Sequence, residues 1–361
     1  MTEKEIVDSD ERRQALLTEI EKAATSPVHL MAVCSGFKVT LQKYHLIQRL
    51  PEKVHIHYGP GCPACLASPS FIDKLLAYSK LGNVILAVYA DLLGIPGSVS
   101  TLEEARTAGA DIRVITSIWD VLLLAKKNRR KRIVFPALGF ESAASSTAAA
   151  ILQAKVAGIF NFQVLCDHKR MVSGMEAVLQ QNEVPVDGFI SSGRVAASMG
   201  ANYFLPLSDD YHKPQAISGY EPEDVLEAIL HLVTQINNHT ATAENLFTTV
   251  ASAEGNSKSH DLLEEVFGFG NTEWTGFGII ENSGFKIKET YRMFDAEKVF
   301  FDMEIPEPVS PDGCRCGAIM RGVKSSKDCP YFAKECTPIS AKGACMYSEE
   351  GPCRVDFLFG R

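Results

Sequence analysis

Six of the ten cysteines in this 361-residue chain fall in its last fifty residues. Cys314, Cys316, Cys329, Cys336, Cys345 and Cys353 are spaced C-x-C-x12-C-x6-C-x8-C-x7-C. Pro330 and Pro338, with Gly313, Gly317, Gly322, Gly343 and Gly351, interrupt any long helix or strand there. Metal or disulfides are therefore expected to hold the segment together. Six thiols exceed what one tetrahedral ion needs and suit a four-cysteine iron–sulfur cluster with a dithiol to spare. Two alternatives stay open. Structural zinc usually shows paired C-x2-C knuckles, which this segment lacks, and a disulfide-stapled tail requires an oxidising compartment.

A second constellation lies near the start. Cys62-Pro63-Ala64-Cys65 is a C-x-x-C preceded by the sharp-turn sequence Gly59-Pro60-Gly61. Placed at the start of a helix, its thiols would ionise more readily and be exposed for exchange or metal binding. Cys34 adds a third sulfur, and three thiols make a soft-metal site for iron, copper or zinc. Read alone, Cys34 serves equally as a small buried hydrophobe, and Cys166, inside an apolar run, is expected in the core.

These residues need elements to position them. Apolar positions among charges over residues 10–25 predict an amphipathic lead-in helix. Eight short apolar runs follow: His29–Cys34, Val54–Tyr58, Val84–Tyr89, Ile112–Thr116, Ile133–Pro136, Phe162–Cys166, Gly188–Ile190 and Gln215–Ile217. Helix-like stretches separate them, which is the signature of βαβ units with parallel strands. Four runs lie before Lys131 and four after it. The expected division is a lead-in over 1–27, α/β domain I over 28–130, α/β domain II over 131–240 and a cysteine-rich domain over 241–361. Pro222 opens a long helix running through Ile236. Residues 240–305 are mixed, with a helix-like Asp261–Val266 and loop signals at Gly268, Gly270 and Gly276.

Unusual residues gather where the runs end. Cys34 ends the first, Gly59–Cys65 follows the second and Asp91 the third. Gly139-Phe140-Glu141 follows the fifth, Asp167-His168 the sixth, Ser192-Gly193-Arg194 the seventh and Gly219-Tyr220-Glu221 the eighth. Open parallel sheets bind ligands outside the carboxyl ends of their strands, so these loops hold the site candidates. Glu141 and Glu221 could instead cap the helices after them. His168 alone reads more readily as a satisfied structural histidine. His55 and His57 alternate along one run and share a face; a metal role is conceivable, and packing is expected.

Composition excludes some classes. Hydrophobic residues at 46% and charged residues at 22% are ordinary for a soluble globular protein. A formal net charge of −8 argues against nucleic acid as a partner. The basic run Lys126–Arg132 is expected to be a solvated helix end. The start Thr2-Glu3-Lys4-Glu5 has no apolar run of the signal-peptide kind, and no stretch approaches a membrane span. A cytoplasmic protein with reduced thiols is the expectation.

Taken together, Gly59–Cys65, Gly139-Phe140-Glu141, Gly219-Tyr220-Glu221-Pro222 and the six-cysteine tail resemble the HypD family of hydrogenase maturation proteins. The resemblance runs from about Met31 to Cys353. It implies two similar parallel-sheet α/β domains with a small cysteine-rich iron–sulfur domain. It also implies work with a HypC-like small protein and a HypE-like cyanide donor to assemble the Fe(CN)2CO unit of nickel–iron hydrogenases. By position, Cys34, Cys62 and Cys65 match the thiols that hold iron or pass electrons. Cys314, Cys329, Cys336 and Cys353 would ligate a 4Fe-4S cluster, and Cys316 with Cys345 would form a relaying dithiol. Glu141, His168 and Glu221 match polar cleft positions.

Two positions depart from the family pattern. Its Cys-Gly-x-His motif is here Cys34-Ser35-Gly36-Phe37, and a histidine in a Gly-His-Val context is replaced by Arg194. Phe37 can neither ligate nor transfer protons, and Arg194 cannot act as a base; Arg194 could hold an anion. A paralogous, cluster-dependent thiol–disulfide oxidoreductase is the competing expectation, and a zinc-stabilised binding protein a third.

Overall fold

Val28, Leu30 and Ala32 of strand β1 (Val28–Ala32) point into one apolar cluster, while Met31, and Val33 just past the strand end, point into another. Strand β5 (Arg132–Gly139) does the same, with Ile133, Phe135 and Ala137 on one side and Val134 on the other. Strands buried on both faces read as continuous apolar runs, which is why the central ones were legible. The structure, a computed structural model, describes residues 3–309 and 312–360. Thr2, in the charged opening stretch, lies outside these.

All eight runs are strands. The others are β2 (Val54–Tyr58), β3 (Val84–Val88), β4 (Ile112–Val114), β6 (Phe162–His168), β7 (Gly188–Ser192) and β8 (Gln215–Ser218). They form two wholly parallel sheets, in the orders β2-β1-β7-β8-β9 and β4-β3-β5-β6, where β9 is the short Ala243–Asn245. The sheets are not divided at Lys131. The chain lays down β1 and β2, leaves to build the whole second sheet, and returns for β7, β8 and β9. Apolar runs carry no mark of the sheet they join, so the contiguous boundary at residues 130 and 131 is corrected here.

The helix Glu3–Ala23 does not stand apart as a lead-in. It buries Leu16, Leu17 and Ile20 against the long helix Pro222–Asn237, covering the outer face of the first sheet. Arg12 and Arg13 pair with Glu227 and Glu223 across that contact. Helices Ile118–Lys127 and Glu141–Val156 cover the second sheet in the same way.

The stretch that resisted reading contains an antiparallel hairpin, β10 (Phe267–Trp274) and β11 (Gly278–Ile287), after a helix Ser257–Val266. Gly268 and Gly270 lie inside β10, with a register shift just after Gly270, and only Gly276 falls in the turn. Phe267 and Phe285 pack under the second sheet, while the turn at Gly276 lies against Gly317 of the tail and accepts from Arg321. The basic run Lys126–Arg132 is a helix end and loop, largely exposed. His55 and His57 share a face as expected, but β2 is an edge strand and His55 is exposed, so they do not pack in the core.

Between the sheets lies the largest cluster. It joins Met31, Val33 and Phe189 of the first sheet region to Leu86, Val88 and Leu165 of the second. Cys62, Cys65, Cys316, Cys329, Cys336, Cys345 and Cys353 complete it. The tail therefore packs into this core between the two sheets. Asp356, on the last helix Pro352–Phe359, accepts from Lys38 Nζ at 2.7 Å and Gln42 Nε2 at 3.3 Å, both on the helix Ser35–Lys43.

Candidate functional site

Cys34 caps the helix Ser35–Lys43 and is 8% exposed. The loop after β2 lies directly against it. A methyl group on Gly61 would stand 2.5 Å from the Cys34 Cα, so only glycine permits this approach. Cys62 is the N-cap of the short helix Pro63–Leu66 and is joined to Cys65 by a disulfide, its Sγ also accepting the Cys65 N–H. In this state neither sulfur is a free thiolate, and the expected three-thiol iron site is not formed. From the tail, the Ser348 hydroxyl donates to Cys62 Sγ at 3.7 Å. Cys65, Cys314 and Cys316 line one cavity with Gly343 and Ala344.

In the tail, burial first, and then the negative charge of Cys316, Cys329 and Cys353, push the Cys314 thiol up to about 11. Burial raises Cys336 as well, the N–H of Lys342 easing the rise and the negative charge of Cys353 and Cys329 adding to it. The thiol of Cys345 donates to Cys316, which holds Cys316 low and Cys345 high. Cys345 also touches Cys353, Sγ to Sγ at 3.3 Å. Cys314, Cys329, Cys336 and Cys353 are mostly buried, and as anions they would repel one another. Among the described residues, no three His, Cys, Asp or Glu side chains stand round one point closely enough for a single ion.

The polar candidates divide. Glu141 is fully buried in the first turn of its helix, where its carboxylate accepts from the Met171 N–H at 2.8 Å and from the Tyr203 hydroxyl. Burial raises its pKa, and its Oε2 has no partner. His168 is 1% exposed, with Nε2 2.8 Å from Thr147 Oγ1 and Nδ1 unpartnered; burial lowers its pKa to about 3, so it is neutral. Neither has a thiol among its hydrogen-bond partners. Glu221 is exposed and sits at the N-cap of the helix Pro222–Asn237, its own N–H donating to Asp224 Oδ2. It is a helix-capping residue rather than part of the thiol cluster. Cys166 is half-buried and its thiol donates to the Phe285 carbonyl.

Residues missed in the sequence lie among these. Tyr220 donates to Cys34 Sγ at 3.4 Å, and its hydroxyl also bonds Ser192 Oγ at 2.7 Å. Lys169, 1% exposed, pairs with Asp167 Oδ1 at 2.8 Å, while the other Asp167 oxygen accepts from Ser68 N just beyond the C-x-x-C. The only signal for either was adjacency to a strand-end motif.

Comparison with known proteins bears on this arrangement. The profile of the HypD family, described as "Hydrogenase formation hypA family", matches residues 11–360. The chain is 36% identical to a hydrogenase maturation factor HypD of Cupriavidus necator, with 92% of this chain and 90% of that protein covered. It is 35% identical to the factor HypD2 of Bradyrhizobium diazoefficiens, covering 93% and 90%. A putative hydrogenase expression/formation protein of Methanocaldococcus jannaschii is 36% identical, with 92% of each covered. The chain belongs to the HypD family.

Both departures from the HypD pattern meet at one ring. Phe37 stacks on Tyr220 with centroids 4.9 Å apart, and the Arg194 guanidinium lies 4.4 Å from the Tyr220 centroid. Gly36 makes room, since a methyl there would stand 2.8 Å from that ring. Arg194 also reaches Glu350 of the tail at 3.8 Å. In this HypD-family member Phe37 and Arg194 thus both pack on the tyrosine that hydrogen-bonds Cys34. Among the described residues no helix is long and apolar enough to cross a membrane.

Proposed function

We propose that this chain is a hydrogenase maturation factor that assembles the Fe(CN)2CO unit with a HypC-like chaperone and a HypE-like cyanide donor. Cys314, Cys329, Cys336 and Cys353 would hold a 4Fe-4S cluster, which when bound would supply single electrons. Cys316 and Cys345 are the adjoining dithiol. The Cys316 thiolate attacks Cys65, the Cys62–Cys65 bond breaks, and Cys62 leaves as thiolate. Cys345 then displaces Cys65 from Cys316. Two electrons pass from the dithiol to the C-x-x-C, leaving a Cys316–Cys345 disulfide and two free central thiols, with the protons of the dithiol taken up there. Cys34, Cys62 and Cys65 are then three soft donors for the iron cargo, whose cyanide and carbonyl ligands make it soft and low-spin.

The observation that carries this reading is the meeting of three separate cysteine groups. Cys34 and Cys62 abut through Gly61, and Cys65 shares a cavity with Cys316. Tyr220 orients Cys34 where the family pattern has its histidines, and Arg194 offers a fixed cation to an anionic ligand.

Infrared spectroscopy tests it on protein purified anaerobically with its maturation partners. Bands of iron-bound cyanide and carbonyl are expected, and Cys34→Ala and Cys62→Ala should each abolish them. Their absence, with partners present and a reducible cluster intact, would instead support a cluster-dependent thiol–disulfide oxidoreductase.

A further inference from the structure

The first sheet carries three imidazoles that the thiol chemistry does not use. His29 on β1 stands opposite His55 on β2 in the parallel register, and His57 follows two residues on. With side chains alternating along a strand, all three project from one face. The His29 ring stacks on His55 with centroids 4.6 Å apart and on His57 at 5.4 Å. His29 Nδ1 and His57 Nε2 are 3.1 Å apart. The His29 backbone is pinned from both sides, its N–H donating to Asp187 Oδ2 at 2.8 Å and its carbonyl accepting the Asp187 N–H at 2.7 Å.

Stacked imidazoles cannot all be charged. A neutral imidazole is the form that binds metal. His29 and His57 are half-buried and His55 is exposed, so an ion has access and the rings have room to turn.

We propose that His29, His55 and His57 form a surface site for a borderline divalent cation of the Zn2+, Ni2+ or Co2+ kind, with His29 and His57 as the chelating pair. Two nitrogens each about 2.0–2.1 Å from one ion, at angles between square and tetrahedral, stand about 2.9–3.4 Å apart. The observed separation falls inside that span. The ion takes the place of the proton shared between Nδ1 and Nε2. The rings turn so that both lone pairs meet, and His55 or water fills a further position. His55-x-His57 on one strand supplies a second way to reach two donors. No third donor already stands in the shell, so the pair carries the affinity and His55 adds to it. Such a nitrogen site selects cations by a different chemistry from the thiols, and it stands whether or not the thiols hold iron.

The test is equilibrium dialysis of the anaerobically purified full chain against Ni2+ at neutral pH, with bound metal counted. The near-ultraviolet thiolate-to-nickel band is followed as a separate measure of cysteine-bound metal. The His29→Gln/His57→Gln variant is expected to bind one equivalent fewer with the thiolate band unchanged. His57→Gln alone should weaken that equivalent by about 100-fold or more, beyond what loss of a merely supporting partner costs, and His55→Gln by less. Far-ultraviolet circular dichroism confirms folding, and the single variants decide should the double one unfold. Equal stoichiometry and affinity in wild type and variants would overturn the site, leaving only a histidine–histidine hydrogen bond. So would loss of the equivalent together with the thiolate band.

Discussion

Replacing Asp356 with asparagine should loosen the tail from the first sheet. Asp356 shares the helix Pro352–Phe359 with Cys353 and faces the helix that Cys34 caps. It accepts from Lys38 at 2.7 Å, from Gln42 and from the Ser326 hydroxyl. The Lys38 and Asp356 side chains are only 6% and 12% exposed. Removing the carboxylate charge leaves a buried ammonium whose remaining partner is the face of the Tyr58 ring, 4.5 Å away. Breaking a buried pair from one side costs about 3–5 kcal/mol. Asparagine keeps one acceptor oxygen, which sets the expectation at about 3 kcal/mol, roughly a hundredfold in the equilibrium for opening. Urea unfolding should register this in the midpoint, and hydrogen exchange should place it in the amides of Pro352–Phe359. The double replacement Lys38→Met/Asp356→Leu removes both charges and should recover about 1 kcal/mol of the loss. What remains is about 1 kcal/mol for each of the Gln42 and Ser326 bonds that has no acceptor. A single variant costing less than about 1 kcal/mol, or a double variant no better than the single, would refute the reasoning.

Three further outcomes are expected. His168 refuses a proton in the folded chain until about pH 3, whereas the unfolded chain takes one up below about 6.5. Its contribution is therefore constant above that pH and falls by about 1.4 kcal/mol per unit on acidification, or about 2 kcal/mol by pH 5. His168→Gln should remove that slope from urea midpoints measured at pH 7 and pH 5, and equal slopes in both proteins would contradict the assignment. Tyr220→Phe removes a hydroxyl that draws the Cys34 pKa down against burial. Alkylation of Cys34, followed by mass spectrometry, should slow at pH 8 and its profile move to higher pH; an unmoved profile would sink the contact. Gly61→Ala forces a methyl onto the Cys34 backbone and should cost about 1–3 kcal/mol by overpacking, read as a lower denaturation midpoint. Undiminished stability would mean the loop does not rest on Cys34.

Much of the fold was legible because chemistry and pattern coincide in it. Central strands such as β3, β7 and β8 are buried on both faces and stand out as apolar runs, and the edge strands β2 and β4 keep a short apolar run on one face; β9, only three residues long and half-buried, gave no such signal. In β10 Phe269 and Asn271 beside Gly270 are exposed and the register shifts after Gly270, which breaks the alternation before Thr272. Glu221 shows the limit of motif reading. Its place after β8 left it open between a cleft residue and a helix cap, and the structure puts it at the N-cap of the following helix.

The sequence by itself determined the cysteine inventory, the parallel α/β class and the family, since residue type, spacing and apolar runs are properties of the chain alone. Only the tertiary structure decided which sheet each strand joins, because that choice depends on partners far away in sequence. It also decided that Phe37 and Arg194 act on one tyrosine, and that three histidines from two strands share a face. Contacts of this kind arise from the crossover between sheets and from strand register, and neither is written in local sequence.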